Sequence, residues 1–533
     1  MLYAAKQDPE RIQRLRWYTL LVLCISLIVI VLDNTILNVA IPTLAKPASK
    51  GGLGASASEL QWIVDAYTIV FAGLLLTAGS LGDRFGRYRA LTFGLIVFGT
   101  GSLASAFAGS ATALIATRSL MGIGGAFIMP STLSVITNTF TDHQERGKAI
   151  GVWAGVSALG IGLGPISGGV LLAHFWWGSI FLVNLPIVII GLIGGYFLVP
   201  ESRDPSAPRL DFVGAGLSIV ALAALLWAII EAPTKGWTST SIVISGLAGV
   251  ALFVGFLLWE RRTPNPMLDL TFFRNPRFSV ASAAIMLTFF ALFGTIFLLT
   301  QYLQSVLGYS TVKAGAVLVP QAAVMMVLAP QSANLVRRFG NKRVVATGLT
   351  VVGLSLLLFT QFDVDSSTLE VIVITMLLGV GMANVMAPAT DSIMGSLPRA
   401  KAGVGSAMND TTRQMGGALG VAILGSILSS RYGARVTELL PNASSHVIAA
   451  TKDNVGEALA FSHTKASGPL SAQISEAAKD AFVHGLHTSS VVAAGVLLVA
   501  VIGVVLWLPA RHRDEATEAE AVSFEPVAAG GGG

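Results

Sequence analysis

The stretch GSLGDRFGRYRAL, residues 79–91, sets one acid and three arginines between two long apolar runs. Gly82 and Gly86 suit a tight reversal between antiparallel helices, because glycine accepts backbone angles that other residues resist. The arginines would hold such a turn in water and could reach anionic lipid headgroups. Asp83, at the end of the preceding run, is placed to accept hydrogen bonds from the N-terminal amides of a neighbouring helix. On its own, a short basic turn of this kind also reads as a plain topological anchor.

The surrounding composition explains why the turn stands out. Of 533 residues, 53% are hydrophobic and 12% charged, with mean hydropathy +0.72. A soluble domain carries roughly 25% charged residues, so much of this surface is solvated by lipid. The single cysteine, Cys24, lies in an apolar run and excludes an intrachain disulfide or a cysteine-based zinc cluster. The first apolar stretch, 17–42, is too long for a cleavable signal and is read as a spanning helix.

A bilayer core about 30 Å thick asks for roughly 20 apolar residues per helix, and that window yields about fourteen runs. They lie near 17–40, 61–81, 90–108, 111–133, 149–172, 178–199, 211–230, 241–259, 278–300, 314–335, 344–361, 369–390, 404–428 and 488–508. Alternate loops collect Arg11, Arg14, Arg16, Arg84, Arg87, Arg89, Arg146, Lys148, Arg261, Arg262, Arg337, Arg338, Lys342, Arg343, Arg399 and Lys401 on one side. The other side holds little more than Lys46, Lys50, Lys235 and Lys313 outside the segment 429–487. Basic residues mark the cytoplasmic side, so both termini are expected there. Spread over many short loops, the positive charge does not form a nucleic-acid surface.

Pro- and charge-rich joints at 199–211 and 259–270 divide the chain. The expected division is a six-helix bundle over 1–209, a two-helix insert over 210–262, and a second six-helix bundle over 263–513. An external, partly amphipathic segment 429–487 interrupts the last, and an acidic tail, 514–533, is expected to be disordered. The R-F-G-x-x-R core of 84–89 recurs at 338–343 in the corresponding turn of the second half, as in duplicated transporter bundles.

The full pattern of 79–89 resembles motif A of the major facilitator superfamily. LIATRSLMGIGGA (114–126) is similar to motif B, and GIGLGPISGG (160–169) to motif C of its antiporter branch. LDNTILNVAIP (32–42) resembles a signature of the fourteen-helix drug:proton antiporters, the QacA and EmrB type. The resemblance implies an all-α integral membrane protein of the major facilitator fold. It implies a proton-coupled exporter of amphipathic, cationic drugs across the cytoplasmic membrane, working by alternating access. It also implies gating roles for Gly79, Gly82, Asp83, Arg84, Gly86 and Arg87, and for Gly160, Gly164, Pro165, Gly168 and Gly169. Physically, Gly160, Gly164 and Gly168 recur on one helix face, where small residues let another helix approach closely. Pro165 removes a backbone hydrogen bond and permits a bend.

Charges within the membrane are costly and need partners or a task. At 1.5 Å per residue, Asp33, Asp65 and Arg118 fall at similar depths in the outer half. They are the candidate proton-coupling centre, and the resemblance implies a coupling or substrate-cation role for Asp410 in the second half. Asp33 could instead be a buried carboxylate bonded to Asn34, Thr35 or Asn38, and Arg118 a plain counter-ion. Asp410 and Arg413, three residues apart, can pair on one helix face. Asp391 reads as an interfacial charge. Asp33, Asp65 and Asp410 are also the candidate substrate-binding acids, with Phe289 and Phe293, and with Phe290, Met325 and Met326 as further pocket candidates. No P-loop is present in the sequence, and neither cofactor nor metal is expected. The expected partners are protons, a small amphipathic substrate and the lipid bilayer, with the chain a monomer and no enzyme. Other cargo (an endogenous lipid, siderophore or amino acid) or a non-transporting sensor remain alternative readings.

Overall fold

The computed structural model describes residues 8–47, 51–204, 211–264, 266–441, 443–452, 454–464 and 469–509. The acidic tail and Arg209 lie outside these residues, as does the side chain of Asn38. Among the described residues every regular element is a helix. Without water in the bilayer core, a spanning helix satisfies its own backbone groups.

The first six long helices are α1 (Pro9–Leu44), α2 (Ala57–Phe85), α3 (Arg87–Ala106), α4 (Ala111–Thr139), α5 (His143–His174) and α6 (Asn184–Leu198). The insert consists of α7 (Phe212–Lys235) and α8 (Thr240–Glu260). The last six are α9 (Pro276–Gln301), α10 (Thr311–Phe339), α11 (Asn341–Leu358), α12 (Thr368–Gly395), α13 (Ala402–Leu439) and α14 (Pro469–Trp507). Thirteen described helices are long and apolar enough to cross a membrane. The fourteenth, α13, is more polar, and it packs between α9, α14 and α2.

Local sequence places the helix ends. Ser56 and Glu59 form a reciprocal capping box at the start of α2, satisfying amides that have no partner within the helix. Ser110, Asp142, Ser310 and Ser367 cap α4, α5, α10 and α12, each side chain accepting from one backbone amide of the first turn. The charged turn between α2 and α3 is one residue, Gly86, at φ +117°. Its counterpart Gly340, at φ +84°, joins α10 to α11. A side chain at either position would be strained.

The halves meet along two related seams. The second helix of the first half, α2, packs on the fifth of the second half, α13; reciprocally, α5 packs on α10. Small residues set both approaches. A Cβ at Gly79 would lie 2.5 Å from the Gly403 carbonyl oxygen, and one at Gly155 would lie 2.7 Å from Met326 Cα. Of the motif-C glycines, Gly160, Gly164 and Gly168 face α1 instead: a Cβ on Gly164 would meet Thr35 Cβ at 2.6 Å, one on Gly160 would meet Val31, and one on Gly168 would meet Ile36. Gly169 approaches Val312, and Pro165 touches Gly315, so that end of α5 also abuts α10. The insert lies to one side, with α7 against α2 and α13 and α8 chiefly against α7.

The segment 429–487 is more ordered than its polarity suggested. Helix α13 runs on to Leu439, and α14 begins at Pro469 rather than near 488. Short helices Ser445–Thr451 and Val455–Thr464 lie between them. Arg435 pairs with Asp480 at 3.1 Å, the Tyr432 hydroxyl donates to the Thr451 carbonyl, and Val436, Ile474 and Ala478 are buried. These contacts bury apolar stripes that carry the two helices beyond their hydrophobic spans.

Candidate functional site: two buried ion pairs, a cavity and a tied face

Asp33 of α1 is fully buried and pairs with Arg118 of α4. Its other oxygen accepts from Asn184 Nδ2 of α6 at 2.9 Å. Asn184 in turn donates to Ser102 of α3. Arg118 also donates to the Ile63 carbonyl of α2, and its guanidinium lies 4.3 Å from the centre of the Tyr67 ring. A buried ion pair is stable only where further hydrogen bonds satisfy its remaining donors and lone pairs, and α2, α3 and α6 supply them here. The Asp33 carboxylate therefore rests on Arg118 and Asn184, rather than on Asn34 or Thr35. Arg118 reaches the backbone beside Asp65 but not its carboxylate. Asp65 instead lies within electrostatic range of Glu231 on α7, and its Oδ2 is buried with no hydrogen-bond partner.

A second pair lies in the other half. Arg413 and Asp410 of α13 approach to 3.5 Å, and Asn409 donates to Asp410 Oδ1. The Arg413 guanidinium lies 4.5 Å from the centre of the Phe289 ring and 5.3 Å from that of Trp153. Those rings come from opposite halves, α9 and α5, and cation–π attraction strengthens when water is excluded. The indole N–H of Trp153 is held by Thr132.

Between the halves is a cavity of about 200 Å³ lined by Asn34, Tyr67, Phe289, Phe293, Gln321, Met325 and Asp410, among others. Phe290 and Met326 do not line it, and neither do Asp33 and Asp65. Asp33 touches it through its neighbours, since Tyr67 lies both over Arg118 and on the cavity wall. Pockets for drug-sized ligands are typically about 300–1,000 Å³, so the cavity must widen to take one.

The face carrying the N-terminus is tied shut. Asp83 accepts from the amides of Gly403 at 2.8 Å and Val404 at 3.0 Å, at the start of α13. It also takes two bonds from Arg87, at 2.9 and 2.6 Å. The same guanidinium donates to the carbonyls of Arg399 and Ala400. Both side chains are almost wholly buried. Arg84, expected with them, instead lies beside Phe85. Lys401 pairs with Asp204 at 3.4 Å. Glu201 packs under the turn, accepting from the Tyr88 and Ser202 amides. Burial pushes its carboxyl above the ordinary range, while those two amides pull partly the other way.

On the related seam, Arg146 of α5 pairs with Asp391 of α12 at 2.9 Å, with His143 at 3.6 Å. Asp391 is thus a buried cross-seam partner rather than a simple interfacial charge. Neither this tie nor the Trp153–Arg413 stack was visible in the sequence, whose only signal was a lone acid ending an apolar run.

Helices that meet along reciprocal seams, closed at one face over a cavity with a buried ion pair in its wall, form the architecture of a membrane transporter. Residues 23–421 match the Major Facilitator Superfamily. The chain belongs to that superfamily and is a multi-pass membrane transporter. It is 36% identical over 490 residues to the multidrug efflux pump LfrA of Mycolicibacterium smegmatis, covering 92% of this chain and 96% of that one. Multidrug resistance protein Stp of Mycobacterium tuberculosis is 33% identical over 511 residues, 93% of each chain. Methyl viologen resistance protein SmvA of Salmonella typhimurium is 34% identical over 494 residues, 92% of this chain and 97% of that one. The fold is also that of the human organic anion transporter MFSD10, at TM-score 0.59 and 15% identity over 91% of this chain and 99% of that one.

Proposed function

We propose that the protein is a proton-coupled antiporter that exports amphipathic, mainly cationic drugs across the cytoplasmic membrane by alternating access. It works as a monomer with both termini in the cytoplasm. The observation that carries this reading is the division of labour between two buried ion pairs. Asp410, in the wall of the central cavity, offers a carboxylate with one unpartnered oxygen. Asp33 sits one layer behind, on Arg118 and Asn184.

A cationic substrate entering the cavity would compete with Arg413 for Asp410 while its apolar body rests on Phe289, Phe293 and Met325. Protonation of Asp33 would release Arg118, which spans α1, α2 and α4 and lies over Tyr67. The proton site and the cavity are thereby joined through one shared ring, and Asp65 is placed to modulate from the α7 side. Motif C on α5 packs against α1, the Asp33 helix, so movement there can be transmitted along the α5–α10 seam. One proton crossing 100 mV supplies about 2.3 kcal/mol, enough for a roughly 50-fold gradient of a neutral substrate in an electrogenic cycle. One-for-one exchange with a monovalent cation moves no net charge, so there the pH gradient drives export. The efflux and resistance proteins among the relatives support drug export, and methyl viologen is a dication.

The test is transport in proteoliposomes with an imposed pH gradient, across a panel of cationic dyes, methyl viologen, neutral antibiotics and native lipids. Cationic compounds should move against their gradient only while the pH gradient lasts. Movement unaffected by collapsing that gradient would remove proton coupling. Tight binding of the panel without any transport would make the protein a sensor.

A further inference from the structure

The two seams are related, but they are not equally filled. At the first, the end of α2 meets the start of α13, and Asp83 supplies the negative charge that α13's amides and Arg87 require. At the second, the end of α10 meets the start of α5. Superposing R-F-G-x-x-R of 338–343 on 84–89 puts Arg337 at the place of Asp83 and Asn341 at that of Arg87. The second half thus has a cation where the first has its anion.

The space left there is a cavity of about 650 Å³. His143, Gln144 and Gly147 of α5 wall one side, and Arg337, Arg338 and Arg343 lie on the other. None of these arginines has an ion-pair partner among the described residues. Arg338 does no more than lie over the Phe339 ring, 5.3 Å from its centre. The cavity's one acid, Asp391, is already held by Arg146 and His143.

We infer that this cavity is a binding site for a phosphate-bearing anion, which takes the part at the second seam that Asp83 plays at the first. Guanidinium groups match phosphate oxygens in paired, charge-assisted hydrogen bonds. Basic pockets between transmembrane helices on the cytoplasmic side suit anionic headgroups. A phospholipid headgroup and free phosphate share this chemistry. The ring of Phe339, in the cavity wall and 47% exposed, favours the lipid. Because the walls come from both halves, the anion holds α5 to the α10–α11 turn. It therefore binds best when the N-terminal face is closed, and it shifts the conformational balance only by that difference in affinity. This conclusion is independent of which compound is exported.

The test uses the full chain in nanodiscs of phosphatidylcholine, with or without phosphatidylglycerol, and native mass spectrometry to count retained lipid. A separate arm titrates inorganic phosphate into the phosphatidylcholine sample and follows thermal unfolding. Arg337→Gln/Arg343→Gln is compared with a charge-matched control, Arg261→Gln/Arg262→Gln, at another exposed turn. We expect selective retention of phosphatidylglycerol, weakened at least tenfold by the first pair and unchanged by the control. Arginine-dependent stabilisation by inorganic phosphate, without lipid retention, supports the site with a soluble ligand. No preference for phosphatidylglycerol and no phosphate effect would overturn the inference. So would equal losses in both double variants, which would reduce the arginines to a general positive surface.

Discussion

Replacing Asp83 with asparagine isolates the contacts that hold the N-terminal face closed. The carboxylate receives four hydrogen bonds: two from Arg87 on its own side, and two from the Gly403 and Val404 amides across the seam. Only the cross-seam bonds differ between closed and open conformations, because Arg87 stays four residues away in either. Asparagine keeps one acceptor oxygen and presents an N–H₂ group to the other amide, so about one charged hydrogen bond is lost. At about 1.5–3 kcal/mol for a hydrogen bond to a charged group, the closed state should weaken roughly 10- to 150-fold relative to the open one. Folding should survive, since Arg87 still donates to Ser202 within its own half, while its bonds to Arg399 and Ala400 cross the seam in wild type and variant alike. Spin labels at the exposed positions Phe85 and Pro398 would report the separation across the seam. The single native cysteine, Cys24, is buried and leaves the label to introduced thiols. Asp83→Asn should broaden the distances toward an open face, bind substrate and fail to transport. Wild-type distances together with wild-type transport would reduce the turn to a topological anchor.

Gly164→Leu places a side chain against Thr35 of α1 and should impair export with expression reduced modestly at most, at an overpacking cost of about 1–3 kcal/mol; normal efflux kinetics would show that close packing is not needed there. Asp33→Asn keeps size and hydrogen bonding but cannot release a proton, so substrate-induced proton release should vanish while neutral substrates still bind. Full proton release from that variant would move coupling to Asp410. For Glu201, burial raises the folded carboxyl above its unfolded value. Its contribution to stability is therefore most favourable below the ordinary carboxylate range and is lost as pH rises through the raised value. Thermal unfolding of Glu201→Gln should be less sensitive than wild type to raising the pH over that window, and parallel curves would refute the assignment.

Helix periodicity and charge placement carry a great deal in a chain of this kind, because lipid leaves the backbone few alternatives. The sites of the spanning runs, the echo of 84–89 at 338–343 and the similar depths of Asp33, Asp65 and Arg118 follow from residue spacing and a fixed rise per residue. That Asp83 could meet a neighbouring helix N-terminus was one reading of an acid at a helix end, beside that of a plain topological anchor; its burial and its bonds to Gly403 and Val404 came from packing. Depth along an axis says nothing about rotation around it or about which helix lies alongside. Packing alone decided that Arg118 faces Asp33 rather than Asp65, and that Asn184 completes the pair from α6. It likewise decided that Trp153 and Phe289 hold Arg413 from opposite halves, and that Asp391 ties to Arg146. Helices α13 and α14 outrun their apolar spans for the same reason, since the residues that bury Val436 and Ile474 are distant in the chain. Partner choice is a property of surfaces brought together by two bundles, and small residues such as Gly79, Gly155 and Gly164 determine how closely those surfaces come.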